Sequence, residues 1–436
     1  MPLEMEASEI QRQIATLEKL PDSLLEALRL LAQRAQARSA ALYIVGGFVR
    51  DRLLGLPLSD LDLDLVVVGD AIGLVRALAE EFGGKFTAHP AFGTATWYPP
   101  PESPFPDLDF ATTRLETYSA PAALPTVTLI DGADALMRDA RRRDFSVNTL
   151  AVQLAPEPFG ALIDPLNALP DLEAKVLRTL HPRSFTDDPT RILRAARFVA
   201  RLGFQLAPES AAHLPEALPH IAALSGERLR HELDLIMAEA QPHVALRWLA
   251  EQGALAAIHP RLDFDERLTF IYKSLPALKL PADVEPLTLR WAIFGGTFPD
   301  DSALLARLAL PKTTHRALTE VHRARIALAA LPDEAPPSQI VRALAPFCPE
   351  AILAAALLAL SETRRDLKRA LRYLFIWRHV QVAADGNYLR ALGLKPSPLF
   401  GTLLSRLRDA VLDGVVTTPE AQRNLLKQWI QETHVT

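Results

Sequence analysis

Asp60, Asp62 and Asp64 recur at every second position just ahead of Val66-Val-Val68, and a Gly46-Gly47 pair follows the apolar run 41–45. A strand sends alternate side chains to one face, so the three acids are predicted to project together. Paired carboxylates of that kind hold two divalent cations roughly 4 Å apart for in-line phosphoryl transfer. The bare backbone of a Gly-Gly turn can approach phosphate oxygens, and the Arg50-Asp51 helix after it aims its positive end at the same anion. Alone, a Gly pair is usually a turn and an Asp-x-Asp strand a solvated face. The order strand, Gly-Gly, Arg-Asp helix, acidic strand is what makes the pattern specific for nucleotidyl transfer. Counted from Gly47 the acid pair falls on Asp60 and Asp62; counted back from the strand end at residues 66–69 it falls on Asp62 and Asp64. Loops absorb a two-residue insertion more readily than strands, which favours Asp62 and Asp64 as catalytic metal ligands, with Asp60 as a further ligand.

The elements that must hold these residues follow from periodicity. Short β-type runs at 41–45, 62–68, 93–98 and 107–111 alternate with helical stretches at 21–38 and 71–82. That is an α+β pattern, a small mixed sheet with helices. The stretch 99–106, rich in proline, reads as a surface hairpin insertion. Beyond about residue 165 the apolar spacing is helical, with helices near 188–202, 227–239, 243–252, 302–308, 313–330, 366–384 and 400–412 broken by Pro or Gly. A chain of 436 residues exceeds one core, and 49% apolar residues supply several. A single cysteine, Cys348, excludes an internal disulfide framework, and the chain has neither an 18-residue apolar run nor a charged-then-apolar leader, so a cytoplasmic setting is expected. The net charge of −5 confines any nucleic-acid contact to a local basic surface.

Residues 42–70 resemble the first motif of the class II tRNA nucleotidyltransferase and bacterial poly(A) polymerase family, within the DNA polymerase β superfamily. Further motifs follow in the family's order. Asp109, in Leu-Asp-Phe-Ala-Thr-Thr-Arg114, sits where the superfamily places a third carboxylate, although a strand-end acid is the plainer reading. Arg142-Arg-Asp-Phe-Ser-Val-Asn-Thr-Leu-Ala151 is similar to the second motif. By that resemblance Arg143 faces the triphosphate, and Asp144 takes the ribose or orients Arg143; without it, the run at 141–143 is an exposed charge cluster. Gly46, Gly47 and Arg50 complete the implied triphosphate site. Asp164-Pro165 and Asp171-Leu172 match the third motif.

Thr186-Asp-Asp-Pro-Thr-Arg191 resembles the fourth, in which an Asp and an Arg select the incoming base, here Asp188 and Arg191; Asp187 stands where the family has Glu. Asp188 is also well placed to cap a helix, and Arg191, Arg194, Arg197 and Arg201 line one face of it, with Arg194 and Arg197 as further candidates for the nucleotide. Ser225-Gly-Glu-Arg-Leu-Arg-His-Glu-Leu233 resembles the fifth motif, with Glu227 and Arg228 structural. The basic and aromatic stretch with Arg364, Arg365, Lys368 and Arg369 is the RNA-binding candidate outside the neck, set against an ordinary solvated helix face.

The resemblance implies a polymerase-β-like head (1–155), a helical neck that selects the base (156–240) and a helical body and tail that bind tRNA (241–436). It implies Mg²⁺ as cofactor, and the tRNA 3′ end, ATP and CTP as partners. The expected activity is addition of CCA, or its terminal A, to tRNA. Residues 115–141 are long enough for the loop that CC-only relatives lack. The competing readings are a poly(A) polymerase of the same family and a catalytically silent RNA-binding relic.

Overall fold

The computed structural model describes residues 17, 20–57, 63–298, 301–360 and 363–434. Residues up to Ser225 together with Glu251–Ile258 form one unit, and Gly226–Ala250 with His259–Thr436 form another.

The first unit is built on a seven-stranded sheet in the order β3-β4-β5-β2-β1-β8-β9. Its strands are β1 (Ala41–Val45), β2 (Asp64–Val68), β3 (Lys85–His89), β4 (Thr94–Tyr98), β5 (Leu108–Thr112), β8 (Ala151–Ala155) and β9 (Leu162–Ile163); β6 (Arg114–Thr117) and β7 (Thr126–Leu129) form a separate hairpin. Every ladder of the large sheet is antiparallel except β2 with β5. Alternation decides what each face meets. Leu42 and Ile44 of β1 are fully buried, and α1 (Asp22–Gln36) packs over β1 and β8 with Leu24, Leu28, Leu31 and Ala35 at helical spacing. Helix α3 (Ala71–Phe82), capped where Asp70 accepts from Gly73 N–H, packs over β4 and β5. On the other side Val45, Val66 and Ala151 form a small cluster with Leu136 of α4 (Ala135–Ala140). The short α2 (Gly47–Leu53) leads off β1.

Most elements lie within two residues of their expected positions. The proline-rich stretch joins β4 to β5 as expected, and it is anchored: Phe105 is buried, with its ring 5.1 Å from Trp97 and 5.4 Å from Phe82. Two further helices complete the part that bears on the site, α5 (Ser184–Asp187) and α6 (Thr190–Leu202). Strands β3 and β6 to β9 were not foreseen: edge strands with polar alternation such as Lys85-Phe-Thr-Ala-His89 carry little periodic signal, and the buried β8 is a short apolar run that periodicity alone does not tell from helix.

The second unit is helical among the described residues. It includes α7 (Gly226–Ala238), α8 (Pro286–Gly295), α9 (Lys312–Ala329), α10 (Pro349–Leu358), α11 (Arg364–Phe375), α12 (Gly386–Ala391), α13 (Pro398–Leu412) and α14 (Pro419–His434). Helix α10 is apolar all round and accordingly buried, wrapped by α8, α9 and α11. Leu389, Leu403, Leu407, Leu426, Trp429 and Ile430 make a separate core among α12, α13 and α14. The fifth motif owes its glycine to a close approach: a Cβ on Gly226 would lie 2.8 Å from the Arg307 carbonyl oxygen, and Arg230 donates to Ala309 O at 2.6 Å. The helix expected over 366–384 instead stops at Phe375. Ile376 leaves helical geometry (φ −126°, ψ −66°), and Arg378 turns back to donate to Leu374 O at 2.7 Å while pairing with Asp283. Among the described residues no single helix is long and apolar enough to cross a membrane.

Candidate nucleotide-transfer site

Asp64 opens β2 and is paired in register with Asp109 on the parallel strand β5. Directly opposed residues on neighbouring strands share a face, so both exposed carboxylates stand abreast on one side of the sheet. The Thr96 hydroxyl donates to Asp109 Oδ1. Asp60 and Asp62 lie outside the described residues. Val45, the last residue of β1, is the antiparallel partner of Asp64, and so the Gly-Gly turn begins beside the acids.

Gly46 has φ +73°, which strains any other residue, and a Cβ there would lie 3.5 Å from Asp64 Oδ2 and 3.4 Å from Arg143 Nη1. The bare backbone thus lies beside both a carboxylate and a guanidinium. Arg143 is held by Asn148 O (3.3 Å) and Asp139 Oδ2 (3.4 Å) and stays partly exposed.

Around this centre lies a web of buried ionic groups. Arg50 is buried; it donates to Asn148 Oδ1 at 2.6 Å and Asp51 Oδ1 at 2.7 Å, and its guanidinium lies 4.8 Å from the centroid of the Phe198 ring. It braces the turn from inside the protein. Asp144 is likewise buried. It accepts from Arg194 Nε (2.8 Å), Asn148 Nδ2 (2.8 Å) and the Phe145 N–H (2.9 Å), so it orients Arg194 and not Arg143. Burial alone would raise its pKa, but Arg194 and Asn148 outweigh it and hold the carboxyl well below the usual range. Asp171 of the third motif takes the Ser146 hydroxyl at 2.6 Å and Arg178, and Asp164 accepts from Ala168 N–H; both are structural.

Asp188 lies one residue ahead of Pro189, which precedes α6; it is extended (φ −133°, ψ 91°), and its Oδ1 takes the Thr190 N–H (3.1 Å) and hydroxyl (2.6 Å), which satisfies a first-turn N–H as a cap does. Arg191 is buried and spans two elements, with Nη1 on Ser184 Oγ at 2.6 Å and Nη2 on the Arg142 carbonyl at 2.7 Å. Along the arginine face of α6 only Arg191 is buried; Arg194 and Arg201 stay partly open to solvent but are paired, with Asp144 and Asp51 respectively. Arg197 continues the same face. Beside Arg191 an open cavity of about 660 Å³ is lined by Tyr118, Arg141, Arg142, His181 and Asp187 among others. Burial pushes the Tyr118 hydroxyl up to about 12 and the His181 imidazole down, so both face the cavity uncharged at neutral pH.

Sequence reading missed Asp139, Asn148, Glu116 and Ser184. Only Asn148 lies inside a quoted motif; the others act through contacts that no local pattern announces. In the second unit, the RNA-binding candidates divide. Arg364 and Lys368 are exposed on α11, and Arg372 continues their face one turn on. Arg369 is buried against the carbonyls of Pro332 and Asp333, and Arg365 is partly exposed and paired with Asp333 and Asp366.

Residues 42–178 match the poly A polymerase head domain, and residues 203–265 match the domain described as the probable RNA and SrmB-binding site of polymerase A. The chain is 33% identical to an A-adding tRNA nucleotidyltransferase of Halalkalibacterium halodurans, over 91% of this chain and 90% of that one. It is 32% identical to one of Geobacter sulfurreducens, over 93% of this chain but about half (47%) of that longer protein. It is 34% identical to a CC-adding tRNA nucleotidyltransferase of Deinococcus radiodurans, over 89% of each. Among solved structures, a Thermotoga maritima CCA-adding enzyme complexed with tRNA is similar with a TM-score of 0.76 and 25% identity, over 95% of this chain and 98% of that one.

Proposed function

Because the chain belongs to the class II tRNA nucleotidyltransferase and poly(A) polymerase family, we propose that it adds the 3′-terminal CCA, or its final A, to tRNA from CTP and ATP. The observation that carries this is the juxtaposition at Gly46 of the Asp64 carboxylate and the Arg143 guanidinium, with Asp109 in register beside Asp64. Relatives similar over nearly their whole length are named tRNA nucleotidyltransferases, which favours tRNA extension over polyadenylation.

The reaction joins the RNA 3′-hydroxyl oxygen to the α-phosphorus of the nucleotide, and pyrophosphate leaves. Arg143 binds the triphosphate, and the bare backbone at Gly46 lets phosphate oxygens approach. Asp64 and Asp109 offer hard oxygen donors on one exposed face, which fits the divalent metal that the family uses; we assign Mg²⁺, with Asp62 completing the set. When bound, the metal supplies charge neutralisation at the attacking and leaving oxygens. Arg191 and Asp188 face the base. The length of residues 115–141, which hold part of β6, β7 and α4, is what favours complete CCA or terminal-A addition over CC-only addition. The test offers the purified protein tRNA ending before, within and after the CC, with single nucleotides. Growth by CCA or by A supports the reading; extension of unrelated RNA by long A tracts returns the protein to the polymerase alternative.

A further inference from the structure

We propose that Asp139 is the positioning residue of this site, one buried carboxylate that sets Arg143 towards phosphate and, through Arg142, sets Arg191 towards the base. The inference rests on the transferase reading above. Asp139 is 1% exposed. Its Oδ1 accepts from the Arg114 N–H (3.1 Å) and from Arg142 Nε (2.9 Å), and its Oδ2 accepts from Arg143 Nη2 (3.4 Å). The run of three arginines that reads as a charge cluster is therefore divided: Arg141 faces solvent, while its two successors turn back over the helix onto an acid three and four residues earlier.

Each guanidinium then passes the orientation on. Arg143 carries its other Nη to Asn148 O at 3.3 Å, which places it beside Gly46. Arg142 is gripped on its far side by Glu116 at 2.9 Å, and its own backbone carbonyl takes Arg191 Nη2 at 2.7 Å, so one residue links the two acids to Arg191. A neutral amide could not do the same. Three donors converge on residue 139, and an asparagine would offer one acceptor oxygen and point N–H groups at a second donor. Charge-assisted bonds to the two arginines also give a carboxylate a stronger hold than an amide.

The test compares Asp139→Asn with wild type for CTP, ATP and UTP on tRNA, alongside thermal melting. Loss of a partner that orients substrate-binding groups costs roughly ten- to a hundredfold in activity. The expected result is a fall of that order in kcat/KM for CTP and ATP, expressed partly as a raised nucleotide KM, together with a lower preference over UTP. A folded variant whose preference and KM match wild type, with only the melting temperature or the active fraction reduced, makes Asp139 merely structural and overturns the proposal. Should Asp139→Asn fail to fold, Glu116→Gln loosens Arg142 with Asp139 intact. It should lower the preference over UTP while the KM for ATP changes little, and an unchanged preference overturns the path through Arg142. An inactive wild type would sink the transferase reading itself, a different result from an active wild type with an indifferent variant.

Discussion

Asp188 has two possible occupations, helix cap and base selector, and Asp188→Asn separates them. Cytosine and adenine present a ring-nitrogen acceptor beside an amine donor; uracil presents a ring N–H beside a carbonyl. An arginine donating to the ring nitrogen and an aspartate accepting from the amine suit the first pair and mismatch the second. In the structure Asp188 Oδ1 takes the Thr190 N–H at 3.1 Å. Asparagine caps about as well as aspartate, so the variant keeps that bond and its melting should stay near wild type. What changes is the other end of the side chain, where an amide N–H replaces an acceptor. It repels the amine of CTP and ATP and can donate to the uracil carbonyl. One buried mismatched polar contact costs roughly 1–3 kcal/mol, and about 1.4 kcal/mol is tenfold, so the ratio of kcat/KM for ATP over UTP should fall by about ten- to a hundredfold. Asp188→Ala should lower that ratio too, but it also loses the cap, at a stability cost of about 1 kcal/mol. The assay is steady-state incorporation into tRNA with each nucleotide alone, read beside thermal melting. If Asp188→Asn keeps the wild-type ratio while Asp188→Ala only melts earlier, Asp188 is a cap and the base is chosen elsewhere.

Three further outcomes follow from the geometry. Asp64→Ala should abolish incorporation while tRNA still binds in a gel-shift assay, and normal turnover in that variant would move the metal site towards Asp60 and Asp62. Charge reversal of Arg364, Lys368 and Arg372 on α11 should weaken all tRNAs alike and flatten the slope of log affinity against log salt by about 2, at roughly 0.7–0.9 per phosphate; an unchanged slope returns that face to solvent. The Asp144 carboxyl titrates below its unfolded value, so its contribution to stability is present above pH of about 4 and is lost as pH falls further. Melting of the wild type should therefore drop more steeply below about pH 4 than melting of Asp144→Asn, and parallel curves would show that the Arg194 pair contributes nothing.

The parts of the site that local chemistry dictates are legible in the sequence. Gly46 needs a positive φ beside a strand end, and Asp64 and Asp109 start or sit early on apolar strands; that the two acids share a face follows from the β2–β5 register, which strand period does not give. What the sequence could not reveal is which arginines are buried. Periodicity placed Arg191, Arg194, Arg197 and Arg201 on one face of α6, but whether such a face meets water or acids depends on partners distant in the chain. Arg194 finds Asp144 fifty positions earlier, and Arg201 finds Asp51 one hundred and fifty positions earlier. The same holds for Arg50 and Arg369: each has an acid close by in sequence, Asp51 and Asp366, but the Asn148 side chain and the Asp333 carbonyl that also hold them lie far away in the chain. Burying a guanidinium is costly unless its hydrogen bonds are met, so each buried arginine here is tied to particular acceptors, among them Asn148, Ser184 and the Arg142 carbonyl. Those small polar groups carry no periodic signature. Their role follows from the arginine they satisfy, which is why the acids and glycines of the site can be found by spacing while its orienting groups emerge only once the chain is folded.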